Sequence, residues 1–143
     1  MVTSNTCKNN SCQSLHKWSV GNIVREILMQ DQDVNALVGD KIFPLIAQEN
    51  VEGDFIIYHR AQYSKQSTKM GVYEDECKLA LTVVSDNYDS AIEIAAALDN
   101  ALFGQHTWTN DNGDTFKVNI SLDDSTEDFD DNKYIEVLIF NIK

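Results

Sequence analysis

Cys7, Cys12 and His16 stand in a C-x4-C-x3-H spacing, three donors of the kind that hold zinc. A structural tetrahedral site takes four ligands, usually paired at both ends of a knuckle, and no second pair follows. The arm therefore reads as a carrier of reduced thiols. Cys77 alternates with apolar neighbours and reads as a small core side chain. Three cysteines, an odd number with no secretion signal, predict no disulfide framework. His59 falls on a strand pattern and His106 just after a helix stop. No serine sits in a G-x-S-x-G elbow and no cysteine has the context of a nucleophile, so a catalytic dyad has no sequence support.

Oxygen donors are more abundant. The hairpin "TNDNGDTF" lacks the aspartate and terminal glutamate of a calcium loop. The run Asp123, Asp124, Glu127, Asp128, Asp130 and Asp131 lacks the glycine of the sharp turn, so it reads as a solvated acidic loop. "GDKIF" lacks the second glycine and following Ser/Thr of a phosphate loop. No catalytic residue, cofactor or metal is predicted.

Charge narrows the partners. Residues 1–70 hold 7 basic and 7 acidic side chains and residues 71–143 hold 4 and 16, so the whole net charge of -12 lies in the second half. Gripping duplex DNA requires the opposite sign. No apolar run approaches the roughly 18 residues of a membrane span, and the N-terminus lacks signal and transit patterns. A chain made and kept in a cytoplasm is expected, with no membrane partner.

The elements that must position these residues follow from periodicity. Residues 1–17 are polar without an apolar period and read as an arm; 18–143 read as a single domain. Val20, Ile23, Val24, Ile27 and Leu28 form one helical stripe behind Ser19 as N-cap. Asp33 opens a short helical piece that Gly39 ends. Ile42 and Phe43 are expected to dock on the core, with Pro44, the only proline, stiffening an extended link into the first strand. "FIIYHR" and Cys77–Val83 read as strands, joined by "QYSKQSTKMGVYEDE", Gln62 to Glu76, a long, partly exposed hairpin connection. Asp86 or Asn87 caps a helix with the stripe Tyr88, Ala91, Ile92, Ala95, Leu98 and Leu102, stopped by Gly104. Asn112-Gly113 marks a hairpin between a Trp108 strand and Phe116–Leu122, and "YIEVLIFNI" closes the sheet as a central strand. The expected fold is α+β: a two-layer sandwich, mainly an antiparallel four-stranded or slightly larger sheet with two helices on one face, in the order α-β-β-α-β-β.

The succession of a helix, "VNALVGDKIFPLIA", "DFIIYHR" and "CKLALTVVSDNYDSAIEIAAALDNALFG" resembles the tail-completion and tail-terminator proteins of long-tailed bacteriophages, over Val20 to Gly104 with Phe116 to Ile142 as closing strands. The chain departs from the family at Asp54, where a proline is common, in the arm, and at 123–131. The resemblance implies a virion protein assembled in the host cytoplasm. It implies a homo-oligomeric ring, typically sixfold, at the head-proximal end of the tail tube, touching the tube protein and a neck or head-completion protein while DNA passes without specific binding. Gln62, Tyr63, Lys65, Lys69, Met70, Tyr73, Trp108 and Asn110 are the interface candidates. Asp123, Asp124, Asp128 and Asp130 are candidates to line the lumen, where carboxylates would repel phosphates. Another neck or minor tail component is the nearest alternative; a cytoplasmic enzyme or an acidic DNA mimic is the remote one.

Overall fold

A computed structural model describes residues 18–47, 51–67, 73–109 and 113–143, with backbone alone at 65–67 and 73–76. The helices come first in the argument because their stripes decide which face of the sheet is covered. Helix α1 (Val20–Gln30) buries Val20, Ile23, Val24 and Leu28. Ser19 occupies the N-cap, but its carbonyl rather than its hydroxyl receives the first amides, from Asn22 and Ile23. Helix α2 (Gln32–Val38) is capped by Asp31, not Asp33: the Asp31 carboxylate accepts from the amides of Asp33 and Val34. Helix α3 (Tyr88–Leu102) is capped by Asn87. Its buried stripe is Ala91, Ile94, Leu98 and Leu102, while Tyr88 and Ile92 face solvent.

The strands are β1 (Ile42–Pro44), β2 (Phe55–Ser67), β3 (Tyr73–Ser85), β4 (Gly104–Thr109), β5 (Thr115–Asp130) and β6 (Lys133–Ile142). They form one sheet in the order β1-β2-β3-β6-β5-β4. β1 pairs parallel with β2 and every other pair is antiparallel. The expectation of a two-layer sandwich on a four-stranded or slightly larger antiparallel sheet with two helices, ordered α-β-β-α-β-β, is therefore corrected to a six-stranded mixed sheet curled into a half-barrel with, among the described residues, three helices. Each error has a physical source. β1 is three residues long and ends in Pro44, tolerable because it is an edge strand and the missing N–H leaves no ladder partner orphaned. The Trp108 strand, expected as a hairpin arm outside the counted order, is β4 and belongs to the sheet; it alternates half-buried and exposed residues with none fully buried, so it carries no core signal of its own.

The two stretches read as loops are also strands. Pairing of β2 with β3 runs to Ser67 opposite Tyr73, and β5 pairs with β6 as far as Asp130 opposite Lys133. The acidic stretch is thus one limb of a hairpin closed by Asp131 and Asn132, both at positive φ (50° and 61°), the two-residue type I′ pattern that Asp and Asn tolerate.

One face of the sheet holds the core. Ile56, Tyr58, Cys77, Leu79, Leu81, Val83, Val118, Ile120, Leu138, Phe140 and Ile142 meet the helical stripes there. Ile42 joins this core, whereas Phe43 is half-buried on the opposite face, tilted against Phe55 at 6.4 Å. β-Bulges interrupt β2 between Arg60 and Gln62 and β5 between Leu122 and Asp124. Register places both in one transverse row, Arg60–Leu79–Phe140–Leu122.

Candidate interaction surfaces

Strand lengths decide where the candidate residues go. β6 ends at Ile142, level with Cys77 on one side and Ile120 on the other. Beyond that level β2 and β3 continue as one hairpin limb and β4 and β5 as another, so two prongs leave the same end of the sheet. Gln62, Tyr63, Lys65 and Tyr73 lie on the first prong and Trp108 on the second. Lys69, Met70 and Asn110 lie outside the described residues, as do Cys7, Cys12 and His16.

Both prongs are tied to α1. The Trp18 ring meets Tyr63 edge-on at 5.2 Å and carries the Arg60 guanidinium 4.1 Å above it; Arg60 also donates to the Trp18 carbonyl. On the other prong Trp108 stacks on Phe116 at 5.8 Å, and its indole N–H donates to Glu26 at 3.0 Å. Tyr63, Trp108 and Phe116 thus have partners within the chain, Tyr63 where its prong begins and the other two one rung short of the pair Thr109–Thr115. Between α1 and β1 lies a cleft of about 360 Å³, lined by Trp18, Gly21, Pro44, Leu45, Tyr58 and Arg60. Leu45, which lines it, is 72% exposed, and the next residue, Ile46, is 78% exposed. Gly21 permits the close approach there: a Cβ would lie 2.8 Å from the Tyr58 ring.

The four aspartates sit apart from the prongs, on the lower half of β5. Asp123, at the bulge, pairs with Lys78 at 3.0 Å. Asp124 and Asp128 accept from the amides that follow them, those of Ser125 and Phe129, at 2.9 and 2.7 Å. Asp124, Asp128 and Asp130 stand opposite Ile139, Ile135 and Lys133, on the helix-free side of the sheet.

One constellation escaped the sequence reading. Glu136 of β6 lies directly opposite Glu127 of β5, points to the helix side and is 7% exposed. Burial, then its hydrogen bond with Glu127 and the charge of that residue, push the Glu136 carboxyl up to about 7. Glu127 goes the other way, held low by hydrogen bonds from Glu136 and from the Tyr88 hydroxyl, which donates to Glu127 Oε2 at 2.7 Å. The Tyr88 phenol is raised, chiefly by that bond. The two carboxyls therefore share one proton and fasten β5 and β6 to the start of α3, beside the Lys133–Asp86 ion pair. The signal was present in "YIEVLIFNI": a lone acid at an inward position of an otherwise apolar strand. His59 and His106 do not meet this group; His106 donates to the Leu102 carbonyl at 2.8 Å and His59 is exposed on β2.

The profile of the family described as Tail completion protein gp17 matches residues 23–139, most of the chain. Among solved structures the fold is similar to a chain from "Virion of native gene transfer agent (GTA) particle", with 19% identity and a TM-score of 0.66, covering 83% of this chain and 89% of that one. No curated protein sequence matches.

Proposed function

Because this chain belongs to the tail completion protein gp17 family and is thereby a structural protein of a phage virion tail, we propose that it caps the head-proximal end of the tail tube as a homo-oligomeric ring, ends tube growth and joins the tail to the neck. The observation that carries this reading is the family match, which takes in α1 from Ile23 onward, the whole of α2, α3 and β1 to β5, and reaches into β6. The geometry supports it. Two prongs at one end of the sheet and an acidic margin at the other side are different surfaces, and heterologous contacts of a closed ring use different patches on each copy. The interface set Gln62, Tyr63, Lys65, Lys69, Met70, Tyr73, Trp108 and Asn110 is proposed to make these contacts; of these, Gln62, Tyr63, Lys65, Tyr73 and Trp108 lie on the described strands. Asp123, Asp124, Asp128 and Asp130 are proposed to face the channel, where their charge would keep a duplex sliding. Six copies are the proposed ring, with the tube protein and a head-completion protein as neighbours.

Negative-stain electron microscopy of particles made without this gene tests the reading. Overlong tails detached from filled heads are expected. Tails of normal length that fail to join heads would assign the chain to the neck, and intact infectious particles would overturn the virion role.

A further inference from the structure

We infer that the outer edge of β5, from Ser121 to Asp130, is a strand-addition site for an extended, lysine- or arginine-bearing segment of a different virion protein; the inference rests on the assembly role proposed above, and it gives Asp124, Asp128 and Asp130 to that partner in place of the channel. β4 ends at Gly104, opposite Ile120, and leaves the rest of β5 as a margin of the sheet. The direction of its peptide groups follows from the ladder. Asn119 and Lys143 exchange both of their peptide hydrogen bonds, at 3.0 and 2.9 Å. Stepping by twos along β6 from Lys143 turns Asn141, Ile139, Val137, Ile135 and Lys133 towards β5, and their partners are Ser121, Asp124, Thr126, Asp128 and Asp130. The peptide groups of Ser125, Glu127 and Phe129 therefore point away from the sheet.

Side chains of the same strand occupy two of these outward donors. The amides of Ser125 and Phe129 donate to Asp124 and Asp128, contacts that are exposed and local and so are exchanged for a strand's carbonyls at little cost. They keep the edge satisfied while it has no neighbour, one of the ways an open edge avoids indiscriminate pairing. The sign of the partner comes from the stretch 121–130, which carries Asp123, Asp124, Glu127, Asp128 and Asp130 and no cation. A second β5 would set carboxylates against carboxylates. The opposite margin of the sheet is not a complement either: β1 ends at Pro44, and past Tyr58 the side of β2 is occupied by Trp18 on Arg60. A cationic strand from another protein fits, its backbone supplying affinity and its alternate side chains meeting Asp124, Asp128 and Asp130 on the helix-free side.

The test titrates the full chain with a nine-residue peptide alternating lysine and threonine, followed by amide resonances and hydrogen exchange. Slowed exchange at Ser125, Glu127 and Phe129 is expected. Ser125→Pro removes one outward donor and keeps every charge and the β6 ladder, so affinity should fall about tenfold. The same loss is expected with the parent chain and a peptide N-methylated at alternate residues, which guards against a Ser125→Pro fold defect. The Asp124→Asn/Asp128→Asn chain should bind more weakly and with less dependence on salt. Equal binding of plain and N-methylated peptide, or unchanged exchange at these three amides, would reduce the contact to charge attraction and overturn the inference. Particle morphology without the gene is read separately, so a failed tail role and a failed edge are distinguishable.

Discussion

Glu136→Gln should abolish a dependence of stability on pH that the parent shows across neutrality. In the folded chain the Glu136 carboxyl titrates at about 7, against an ordinary value of 4.5. A folded-state value raised above the unfolded one means that the native state holds a proton the unfolded chain has released. Its contribution is complete below about 4.5, shrinks as pH rises through that window and is gone above about 7. The full span, at about 1.4 kcal/mol per tenfold, sets a ceiling of about 3 kcal/mol; water at the sheet margin screens the pair, and about 1–2 kcal/mol is the expected loss. Glu127, held low, has the opposite sign: its contribution is present above its unfolded value and fades in acid. Stability should thus peak where the pair carries one proton. The glutamine amide keeps a donor for Glu127 and cannot ionise, so the variant should match the parent near pH 5.5 and exceed it by about 1–2 kcal/mol near pH 8. Denaturant midpoints at the two pH values, with the slope held constant, make the comparison. A parent equally stable at both, or a variant that keeps the parent's slope with pH, would refute the shared proton.

Ile42→Ala should cost about 2–5 kcal/mol, since Ile42 is fully buried; half-buried Phe43→Ala should cost less, about 1–2 kcal/mol, and thermal melts that rank the two the other way would contradict the placement of β1. Gly21→Ala drives a methyl into the Tyr58 ring and should cost about 1–3 kcal/mol, with a Gly21→Ala/Tyr58→Leu double variant recovering part of the loss in the same melts. Asp123→Asn removes the partner of Lys78, but both side chains are about a third exposed, so the change in stability should stay within about 1 kcal/mol.

Helical order was the most legible level, because the apolar stripe of α1 repeats at a spacing only a helix brings together. Even there Ile92 displaced Ile94 in the expected stripe of α3: the two lie roughly 200° apart on a helical wheel, on opposite flanks of the Ala91–Leu98–Leu102 line, and which flank faces the sheet is decided by tertiary packing. Polar strands were the least legible. Residues 121–130 of β5 are exposed throughout, so their extension rests on ladder bonds and a type I′ turn that no alternation of side chains announces. Three-residue β1 depends on a parallel neighbour reached only through the fold. Of the interface candidates, Trp108 was recognisable as an aromatic on a hairpin; its bond to Glu26, 82 positions earlier, was not. Glu136 was visible as an acid among apolar residues, but the carboxyl opposite it depended on reading 123–131 as strand rather than loop.

The two bulges share a row with Leu79 and Phe140, and the strands between them, β3 and β6, pass through that row without a break in register. In mechanical terms the sheet is a plate scored at both margins along one transverse line and continuous at its centre. Each score bends its own margin, so the sheet turns along this line, while Trp18 on Tyr63 and Trp108 on Glu26 brace the part beyond it against the start and the middle of the first helical segment. Deleting either inserted residue would straighten one margin and make the curvature of the sheet asymmetric.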